Sequence, residues 1–478
     1  MNPVMNTAIS AEISGEAVQQ LRATFLGEVI GPDDEGYEAA RRVYNGMVDR
    51  RPALIVRARG VADVVAAVRF ARSHGLPIAI RGGGHSVAGH GTCDGGLLID
   101  LVHLRGIHVD PANRTVRVQG GCTLGDVDRE TQVHGLAVPS GQVSATGIAG
   151  LTLNGGMGML QRKYGLTCDN LLEAELVTAA GEVLTVNETS YPELFWALRG
   201  GGGNFGIVTA FTYRAHPVGP TMLAGLVAYP VEQAPQVLAF LRDYIADAPE
   251  EMSADAIFQF APPLPGIPEE FRGRHLIGIF VRWCGTEEEG WEAVRPIQRF
   301  GEPVLNFIGA LPLTAVQTML DPLNPNGNMH YWTGEFIPTF DDKAIALLSR
   351  IGAELPTHHT IIQVIPFNAA VTRVPADATA FAHRDDSWLI HVLGQWTDPA
   401  DTERCRGWVR RVAADLRTVG SGDVYLNLVT DEEETDRVRA FWSDARLRRL
   451  SEVKAAYDPD NVFCFNHNVK PAPREVAP

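Results

Sequence analysis

The residues with the clearest potential for chemistry lie in Arg81–Gly91, which reads RGGGHSVAGHG. Three consecutive glycines give the backbone access to positive φ and leave no Cβ atom between the backbone and a ligand. Backbone N–H groups in such a nest bind phosphate oxygens, and Arg81 adds a cation beside them. His85 is a nucleophile at the edge of this nest. A glycine-rich turn with a hydrogen-bonding histidine is the alternative interpretation, because one such loop is weak evidence.

Two further glycine-rich stretches follow the first. Gly141–Gly158 reads GQVSATGIAGLTLNGGMG, and Arg199–Gly206 reads RGGGGNFG and precedes an apolar run over Ile207–Tyr213. Glycines spaced through an apolar run indicate backbone held close to another group. Three loops of this kind predict a wall of backbone around a large cofactor.

The elements before and between these loops are short and mixed. Apolar residues at helical spacing predict a helix from Val61 to Ala71 that ends at Gly75, and residues 1 to about 50 are a polar, helix-leaning lead-in. Other elements that the pattern predicts are strands at Leu76–Ile80 and Leu97–Leu101, a hairpin of Ile107–Asp110 with Thr115–Val118, and a helix over Leu124–His134 closed by Gly135. Such a mixture without strict alternation predicts an α+β fold.

The second half of the chain contains a faint internal repeat, after a shift to proline-rich sequence near Thr221. A strand pattern at Leu276–Cys284 is followed by a helical one, and the same order recurs at Trp388–Thr397. Two strand–helix units of this kind predict one antiparallel sheet with helices on its outer face. The other face of this sheet would then cover the cofactor that the glycine-rich loops surround.

Composition narrows the class of protein. A chain of 478 residues exceeds what one core usually covers, so two domains are expected. The net charge of −16 argues against nucleic acid or anionic membrane as a partner, and no stretch of about 18 apolar residues occurs. The N-terminus lacks signal-peptide features, and the six cysteines form no CxxC pair. We therefore expect a cytoplasmic protein without a metal site; the sequence leaves the oligomeric state open.

Four motifs, in this order, resemble one known family. They are RGGGHS, GGMGMLQRKYGLTCDNL, YPELFWALRGGGGNFGIVT and YDPDNVFCFNHNVKP. Together they resemble the berberine bridge enzyme-like FAD oxidoreductases, within the vanillyl-alcohol oxidase (para-cresol methylhydroxylase-type, PCMH-type) class. The resemblance runs from about residue 45 onward. It implies a two-subdomain FAD-binding domain in residues 1–218 (core about 50–217), a substrate-binding domain with an antiparallel sheet in 219–450, and a segment, 451–478, that returns to the FAD domain.

The resemblance also implies how the cofactor is held. In that family the histidine of the first motif carries FAD through the 8α-methyl carbon, which makes His85 the linked residue here and His90 its competitor. Many members have a second link through a cysteine whose position is taken here by Val143, so one link is expected and Cys168 is expected to be packed. The residues expected at the FAD are Arg81, Gly82, Gly83, Gly84, His85, Ser86, Gly141, Thr146, Gly147, Gly150, Gly155, Gly156, Gly158, Gly203, Gly206, Ile207, Val208, Asn466 and Asn468.

Residues that act on the substrate should lie on the sheet face that covers the flavin. The catalytic candidates are Tyr331, Gln363, Tyr425 and Asn427, and core packing is the alternative for Tyr331 and its neighbour Trp332. His330, which directly precedes Tyr331, is a further candidate. The family segment that matches Tyr425–Leu428 carries a catalytic tyrosine in many members at the position of Leu428, so that base is missing here. His383 and Arg384 lie in a family-like run, with an ion pair to Asp385 or Asp386 as the alternative.

The resemblance implies an FAD-dependent oxidoreductase. We expect an oxidase that transfers hydride from an alcohol or amine C–H of a small organic substrate to flavin N5, with O₂ as the electron acceptor. The alternatives are a dehydrogenase that uses another acceptor and a flavin-binding protein without turnover. The substrate itself is not readable from the sequence.

Overall fold

The computed structural model describes residues 13–261, 267–430 and 435–473. The first twelve residues of the predicted lead-in and residues 474–478 of the predicted C-terminal segment lie outside this description. The strands are β1 Glu28–Ile30, β2 Leu54–Arg57, β3 Ile78–Arg81, β4 Leu97–Asp100, β5 Ile107–Asp110, β6 Thr115–Gln119, β7 Leu136–Ala137, β8 Leu171–Val177, β9 Val183–Asn187, β10 Ile207–Arg214, β11 His216–Pro217, β12 Thr221–Pro230, β13 Met252–Phe260, β14 His275–Trp283, β15 Leu305–Pro312, β16 Met329–Ile337, β17 Ile361–Phe367 and β18 Ser387–Trp396. The helices are α1 Gly15–Thr24, α2 Tyr37–Ala40, α3 Val61–Ser73, α4 Leu124–Thr131, α5 Ile148–Leu153, α6 Gln161–Tyr164, α7 Pro192–Leu198, α8 Ala234–Asp247, α9 Glu287–Gln298, α10 Leu313–Gln317, α11 Asp342–Gly352, α12 Ala370–Arg373, α13 Thr402–Leu416 and α14 Thr435–Tyr457.

A four-stranded sheet in the order β1-β2-β4-β3 carries the first glycine-rich loop. Strands β2, β4 and β3 are parallel, and α3 packs its apolar stripe against them as its periodicity predicted. Strand β3 begins at Ile78, two residues later than predicted. The cause is the end of α3, where the Leu76 N–H donates back to the Ala71 carbonyl at 2.9 Å and Gly75 adopts φ 63°.

A second, five-stranded antiparallel sheet has the order β5-β6-β10-β8-β9. The predicted hairpin forms its edge, with Asp110 paired with Thr115. Strand β10 lies in the middle and pairs with β6 and β8, so it places the third glycine-rich loop, which precedes it, between the first two sheets and the cavity described below.

The third sheet is antiparallel, with seven strands in the order β15-β12-β14-β13-β17-β18-β16. One face packs against α8, α9, α11 and α13 through residues such as Ile362 and Ile390, and the intervening residues point the other way. The sequence prediction of an antiparallel sheet with helices on its outer face is confirmed, as is the α+β class.

The end of the chain crosses back over the first half. Within α14, the Trp442 Nε1–H donates to the Gly200 carbonyl at 3.1 Å. The fully buried Lys454 then donates to Asp458 at 2.6 Å, to the Asn204 carbonyl at 2.7 Å and to the Phe463 carbonyl at 2.9 Å. None of the helices in the described ranges is long and apolar enough to cross a membrane.

Candidate functional site

A cavity lies between the three glycine-rich loops and the helix-free face of the seven-stranded sheet, and its empty space, with the open solvent at its mouth included, is about 1850 Å³. Residues 425–429 and the C-terminal stretch 463–467 contribute to its lining. We call the sheet face over the cavity the roof. The roof residues are Ile257, Trp332, Ile361, Gln363, His391 and Leu393.

The floor is built from backbone because two loops touch there. A Cβ on Gly83 would lie 2.4 Å from the Gly147 nitrogen, and one on Gly147 would lie 2.3 Å from the Gly83 nitrogen. Only glycine permits this approach. In the described part of the chain the N–H groups of residues 83–86 donate no hydrogen bond, and these residues line the cavity. They are therefore available to an anionic oxygen.

Arg81 lines the same end of the cavity with its charge already neutralised. Its Nη2 donates to Asp100 at 2.6 Å and to the Ala40 carbonyl at 2.6 Å, and its Nη1 donates to the Arg42 carbonyl at 3.0 Å. The pair forms because Arg81 and Asp100 are register partners in the parallel strands β3 and β4. Arg81 is the cation expected beside the nest, but it is paired with Asp100 and anchors the loop.

His85 faces the cavity from this loop in its neutral form. Burial lowers the pKa of its imidazole to about 4, and its Nε2 is buried without a hydrogen-bond partner. Its ring stacks on Tyr44, with a centroid separation of 3.7 Å. A neutral imidazole with a free buried nitrogen is a nucleophile with no other task in the fold.

The competing nucleophiles are placed less favourably. His90 also lines the cavity, but its ring contacts the edge of the His467 ring at 4.9 Å. Val143 lines the cavity at the position where family members carry the second linking cysteine. Cys168 does not line it: its thiol donates to Asp169 at 3.6 Å, and burial raises its pKa well above the ordinary value.

Most residues predicted to contact the cofactor line the cavity, and four do not. A Cβ on Gly155 would lie 2.7 Å from the Phe381 ring, one on Gly156 would lie 2.2 Å from the Thr167 hydroxyl, and one on Gly158 would meet the Ser140 carbonyl oxygen. These three glycines serve chain packing. Asn468 is exposed and also lies outside the lining. The lining residues from the prediction are Arg81, Gly82, Gly83, Gly84, His85, Ser86, Gly141, Thr146, Gly147, Gly150, Gly203, Gly206, Ile207, Val208 and Asn466.

Tyr425 and Asn427 line the cavity with their polar atoms engaged by the protein. The Tyr425 hydroxyl accepts from the N–H groups of Gly156 at 2.8 Å and Met157 at 3.1 Å, and burial raises its pKa to about 12. The Asn427 amide accepts from Asn154 Nδ2 at 3.2 Å and donates to the Leu151 carbonyl at 3.2 Å. Both side chains therefore hold the second glycine-rich loop in place.

Tyr331 is not in the cavity, and its prediction as a catalytic residue was wrong. Side chains alternate along β16, so Trp332 points into the cavity while Tyr331 points to the helix-covered face. There its ring lies 5.5 Å from the guanidinium carbons of Arg406 and Arg410. The alternative, core packing, is correct for Tyr331.

Gln363 lies in the roof beside a residue that the sequence analysis missed. Its Nε2 donates to Gln142 Oε1 at 3.0 Å, and its register partner is His391 on β18. Both ring nitrogens of His391 are buried without partners, and burial lowers its pKa to about 3. The His391 ring lies edge to face with the Trp332 ring, with 5.0 Å between the ring centroids. Strand alternation would have placed His391 on the roof once the register of β18 with β17 was known.

His383 and Arg384 form structural contacts outside the cavity. Arg384 pairs with Asp169 at 2.7 Å and not with its neighbours Asp385 and Asp386. His383 bonds to Ser387 at 2.8 Å and to Asp423 at 3.2 Å. The expected ion pair therefore exists, with a different carboxylate.

The cavity carries little charge. Within the described residues no aspartate, glutamate or lysine lines it, and the guanidinium of Arg81 is neutralised by Asp100. A charged substrate group would find no counter-ion on these walls, so the lining fits an uncharged substrate.

Comparison with known proteins identifies the family. The family described as FAD binding domain matches residues 52–187, and the one described as berberine and berberine like matches residues 424–470. An FAD-linked oxidoreductase of Dictyostelium discoideum is 33% identical over 461 residues, which cover 95% of this chain and 97% of that protein. The chain belongs to the berberine bridge enzyme-like FAD-linked oxidoreductases. Within this family, (R)-6-hydroxynicotine oxidase of Paenarthrobacter nicotinovorans is 32% identical over 459 residues, with 93% and 97% coverage.

Solved structures agree with this membership. The crystal structure of 6-hydroxy-D-nicotine oxidase from Arthrobacter nicotinovorans has a TM-score of 0.84 and 29% identity, covering 94% of this chain and 98% of that one. Glucooligosaccharide oxidase from Acremonium strictum, which carries a 6-S-cysteinyl, 8α-N1-histidyl FAD, has a TM-score of 0.82 and 26% identity, with 95% and 99% coverage. The predicted PCMH-type architecture and the assignment as an FAD-dependent oxidoreductase are confirmed.

The residues present fit FAD. The cavity is large and largely apolar, the free N–H groups of residues 83–86 suit a pyrophosphate, and the unpartnered Nε2 of His85 faces the same space. Asn466 Oδ1 is also buried without a partner at the C-terminal end.

Proposed function

We propose that this protein is an oxidase that holds one FAD through a single covalent bond to His85 and oxidises a small uncharged alcohol or amine with O₂. The observation that carries the proposal is the neutral imidazole of His85 in a backbone-walled cavity, whose buried Nε2 has no hydrogen-bond partner among the described residues. Val143 supports a single bond because its side chain has no nucleophile where the two-link relatives place a cysteine.

The binding residues follow from the lining. The N–H groups of residues 83–86 and the loop at Gly203–Gly206 would bind the pyrophosphate, and Asn466 would bind from the C-terminal segment. Bound FAD supplies an acceptor for a hydride and a donor of electrons to O₂. From the family resemblance we also propose that residues 1–218 form the FAD-binding domain, residues 219–450 the substrate-binding domain and residues 451–478 a segment that returns to the FAD domain. The six free thiols support a cytoplasmic location.

The roof supplies the groups that meet the substrate. We assign His391 as the acceptor of a hydrogen bond from the substrate O–H or N–H, since burial keeps its imidazole neutral and both of its ring nitrogens lack a partner among the described residues. Gln363 orients the same group through its Oε1, because its Nε2 is held by Gln142. Trp332 and Leu393 cover the remaining space and exclude water.

The experiment that tests this function follows the flavin absorbance during anaerobic mixing with a panel of uncharged alcohols and of amines, among them (R)-6-hydroxynicotine, at a pH where the amines are largely unprotonated. Bleaching by at least one member, followed by return of the colour and formation of hydrogen peroxide on admission of O₂, is the expected result. Bleaching that O₂ does not reverse would identify a dehydrogenase for another acceptor. A flavin that no substrate bleaches would favour a binding protein without turnover.

A further inference from the structure

The segment Tyr44–Gly46 connects the first glycine-rich loop, which carries His85, to the seven-stranded sheet that forms the roof. The Tyr44 N–H donates to the Gly84 carbonyl at 3.0 Å, and the Tyr44 carbonyl accepts from the Gly327 N–H at 3.0 Å. A Cβ on Gly46 would lie 2.2 Å from the Gly327 carbonyl oxygen, so the segment lies directly against the turn before β16. The sequence analysis had placed this segment in the polar lead-in and assigned it no role.

Asn45 strengthens the same connection with its side chain. Its Nδ2 donates to the Val87 carbonyl at 2.8 Å and to the His330 carbonyl at 3.0 Å, while its Oδ1 accepts from the His330 N–H at 3.0 Å. One buried amide therefore fixes the loop that carries His85 relative to the first residues of β16.

The Tyr44 ring lies between two imidazoles. It stacks with His85 at 3.7 Å and 17° between ring planes, and with His330 at 4.3 Å and 19°. The Tyr44 side chain is buried, and within the described ranges its hydroxyl makes one hydrogen bond, a long one of 3.4 Å to Asn324 Oδ1. The contact that the ring offers His85 is consequently aromatic stacking, which fixes the plane of the imidazole.

We propose that Tyr44 is a positioning residue for covalent attachment of the cofactor, holding the His85 imidazole in the orientation from which a ring nitrogen bonds to the 8α carbon of FAD. The inference rests on the proposed attachment at His85. His85→Ala tests that attachment separately, so failure of the attachment and failure of the Tyr44 proposal can be told apart.

The chemistry places a strict demand on His85. In net terms, one C–H bond of the 8α-methyl group and the N–H bond of the neutral imidazole break, and one C–N bond forms. Two protons and two electrons are released, and O₂, the acceptor in the proposed function, takes them to form hydrogen peroxide. Burial keeps the attacking nitrogen unprotonated, and the Tyr44 ring prevents the imidazole from turning away; small misplacements of a reacting group cost large factors in rate.

The test separates binding of FAD from its attachment. Wild-type protein, Tyr44→Phe, Tyr44→Leu and the milder Tyr44→Met are produced in riboflavin-limited cells and then incubated with FAD. Total flavin per protein and the fraction that remains with acid-precipitated protein are followed with time. Tyr229→Leu, a buried tyrosine in the outer core of the roof sheet, controls for general loss of packing.

Tyr44→Phe should attach FAD within about twofold of the wild-type rate, because the ring remains and only a weak hydrogen bond is lost. Tyr44→Leu or Tyr44→Met should bind FAD but attach it about tenfold more slowly, the factor that corresponds to one aromatic stack, while Tyr229→Leu attaches it normally. Attachment at the wild-type rate in both non-aromatic variants would overturn the proposal. The proposal would also be overturned if Tyr44→Leu and Tyr44→Met failed to bind FAD while Tyr44→Phe bound it normally. In that case the Tyr44 ring would be needed to form the FAD site and not to orient His85.

Discussion

His391 and Gln363 are direct register partners in the neighbouring antiparallel strands β18 and β17, and both side chains point into the cavity. Ile257 on β13 pairs with Gln363 on its other side. The roof thus places one imidazole and one amide next to each other in an otherwise apolar row, which is the arrangement that can hold a single hydroxyl or amine group. We propose that this pair does what the resemblance leads us to expect of a catalytic tyrosine at the position of Leu428.

Replacing His391 with Gln should slow reduction of the flavin by the identified substrate by about tenfold, because the hydrogen bond that the neutral imidazole accepts from the substrate is lost or misplaced. Anaerobic stopped-flow absorbance measures the rate, and total flavin content should be unchanged. His359→Gln, at an exposed histidine, is the matched control. A His391→Gln enzyme that is reduced at the wild-type rate would remove His391 from the mechanism.

Replacing Asp100 with Asn should destabilise the protein by about 3 kcal/mol, because the buried Arg81 guanidinium loses its charge partner. Urea unfolding followed by tryptophan fluorescence measures the loss, and the variant should also retain less FAD. Glu302→Gln, at an exposed position, should change the free energy of unfolding by less than about 0.5 kcal/mol. Equal stability of Asp100→Asn and wild type would show that Arg81 does not depend on this pair.

The free energy of unfolding should decrease as the pH falls from 6.5 toward 5. Burial lowers the pKa of His391 and of His330 to about 3, so these groups stay neutral in the folded protein while the unfolded chain binds protons from about pH 6.5 downward. The unfolded state is therefore favoured by acid. The slope from each such histidine rises from about 0.7 kcal/mol per pH unit at pH 6.5 toward about 1.4 kcal/mol per pH unit near pH 5.

His391→Gln should accordingly flatten the dependence of unfolding free energy on pH by about 1 kcal/mol per pH unit, measured by urea unfolding at pH 6.5 and 5.5. His108→Gln, at an exposed site, should leave the slope as it is. An unchanged slope in His391→Gln would mean that His391 is hydrated or charged in the folded protein.

Ending the chain at Asp458 should abolish flavin retention. The truncation removes Phe463, whose N–H donates to Asp458 at 2.9 Å, together with Asn466 and His467, which line the cavity. Flavin absorbance of the purified protein measures retention, and a chain ending after residue 473 is the control. A truncated protein that is stable and keeps its flavin would show that the residues after Asp458 are not needed to bind the cofactor.

The sequence predicted the parts of this structure that depend on local rules. The α3 periodicity, the 107–119 hairpin and the strand–helix units of the roof sheet follow from residue spacing, and the RGGGHS motif marked His85. The missed features depend on register and on contacts distant in sequence: Tyr331 faces outward because of strand phase, Arg81 pairs with Asp100 because two parallel strands align, and Tyr44 meets His85 forty-one residues away. No local pattern contains that information.

The glycines also show that sequence does not reveal contacts between distant parts of the chain. Gly83 and Gly155 both belong to glycine-rich runs, yet one allows two loops to meet at the cavity and the other makes room for the Phe381 ring. Sequence shows that a Cβ is absent, and only the fold shows which neighbour occupies the space.

The most direct test of the account is the fate of the yellow colour when the purified protein is denatured in acid. Wild-type protein should precipitate with its flavin, and proteolysis should give a single flavin-bearing peptide that contains His85, with Cys168 unmodified. His85→Ala should bind FAD and release it completely on denaturation, whereas His90→Ala should behave as wild type. Flavin released from the wild-type chain, or found on any residue other than His85, would contradict the account.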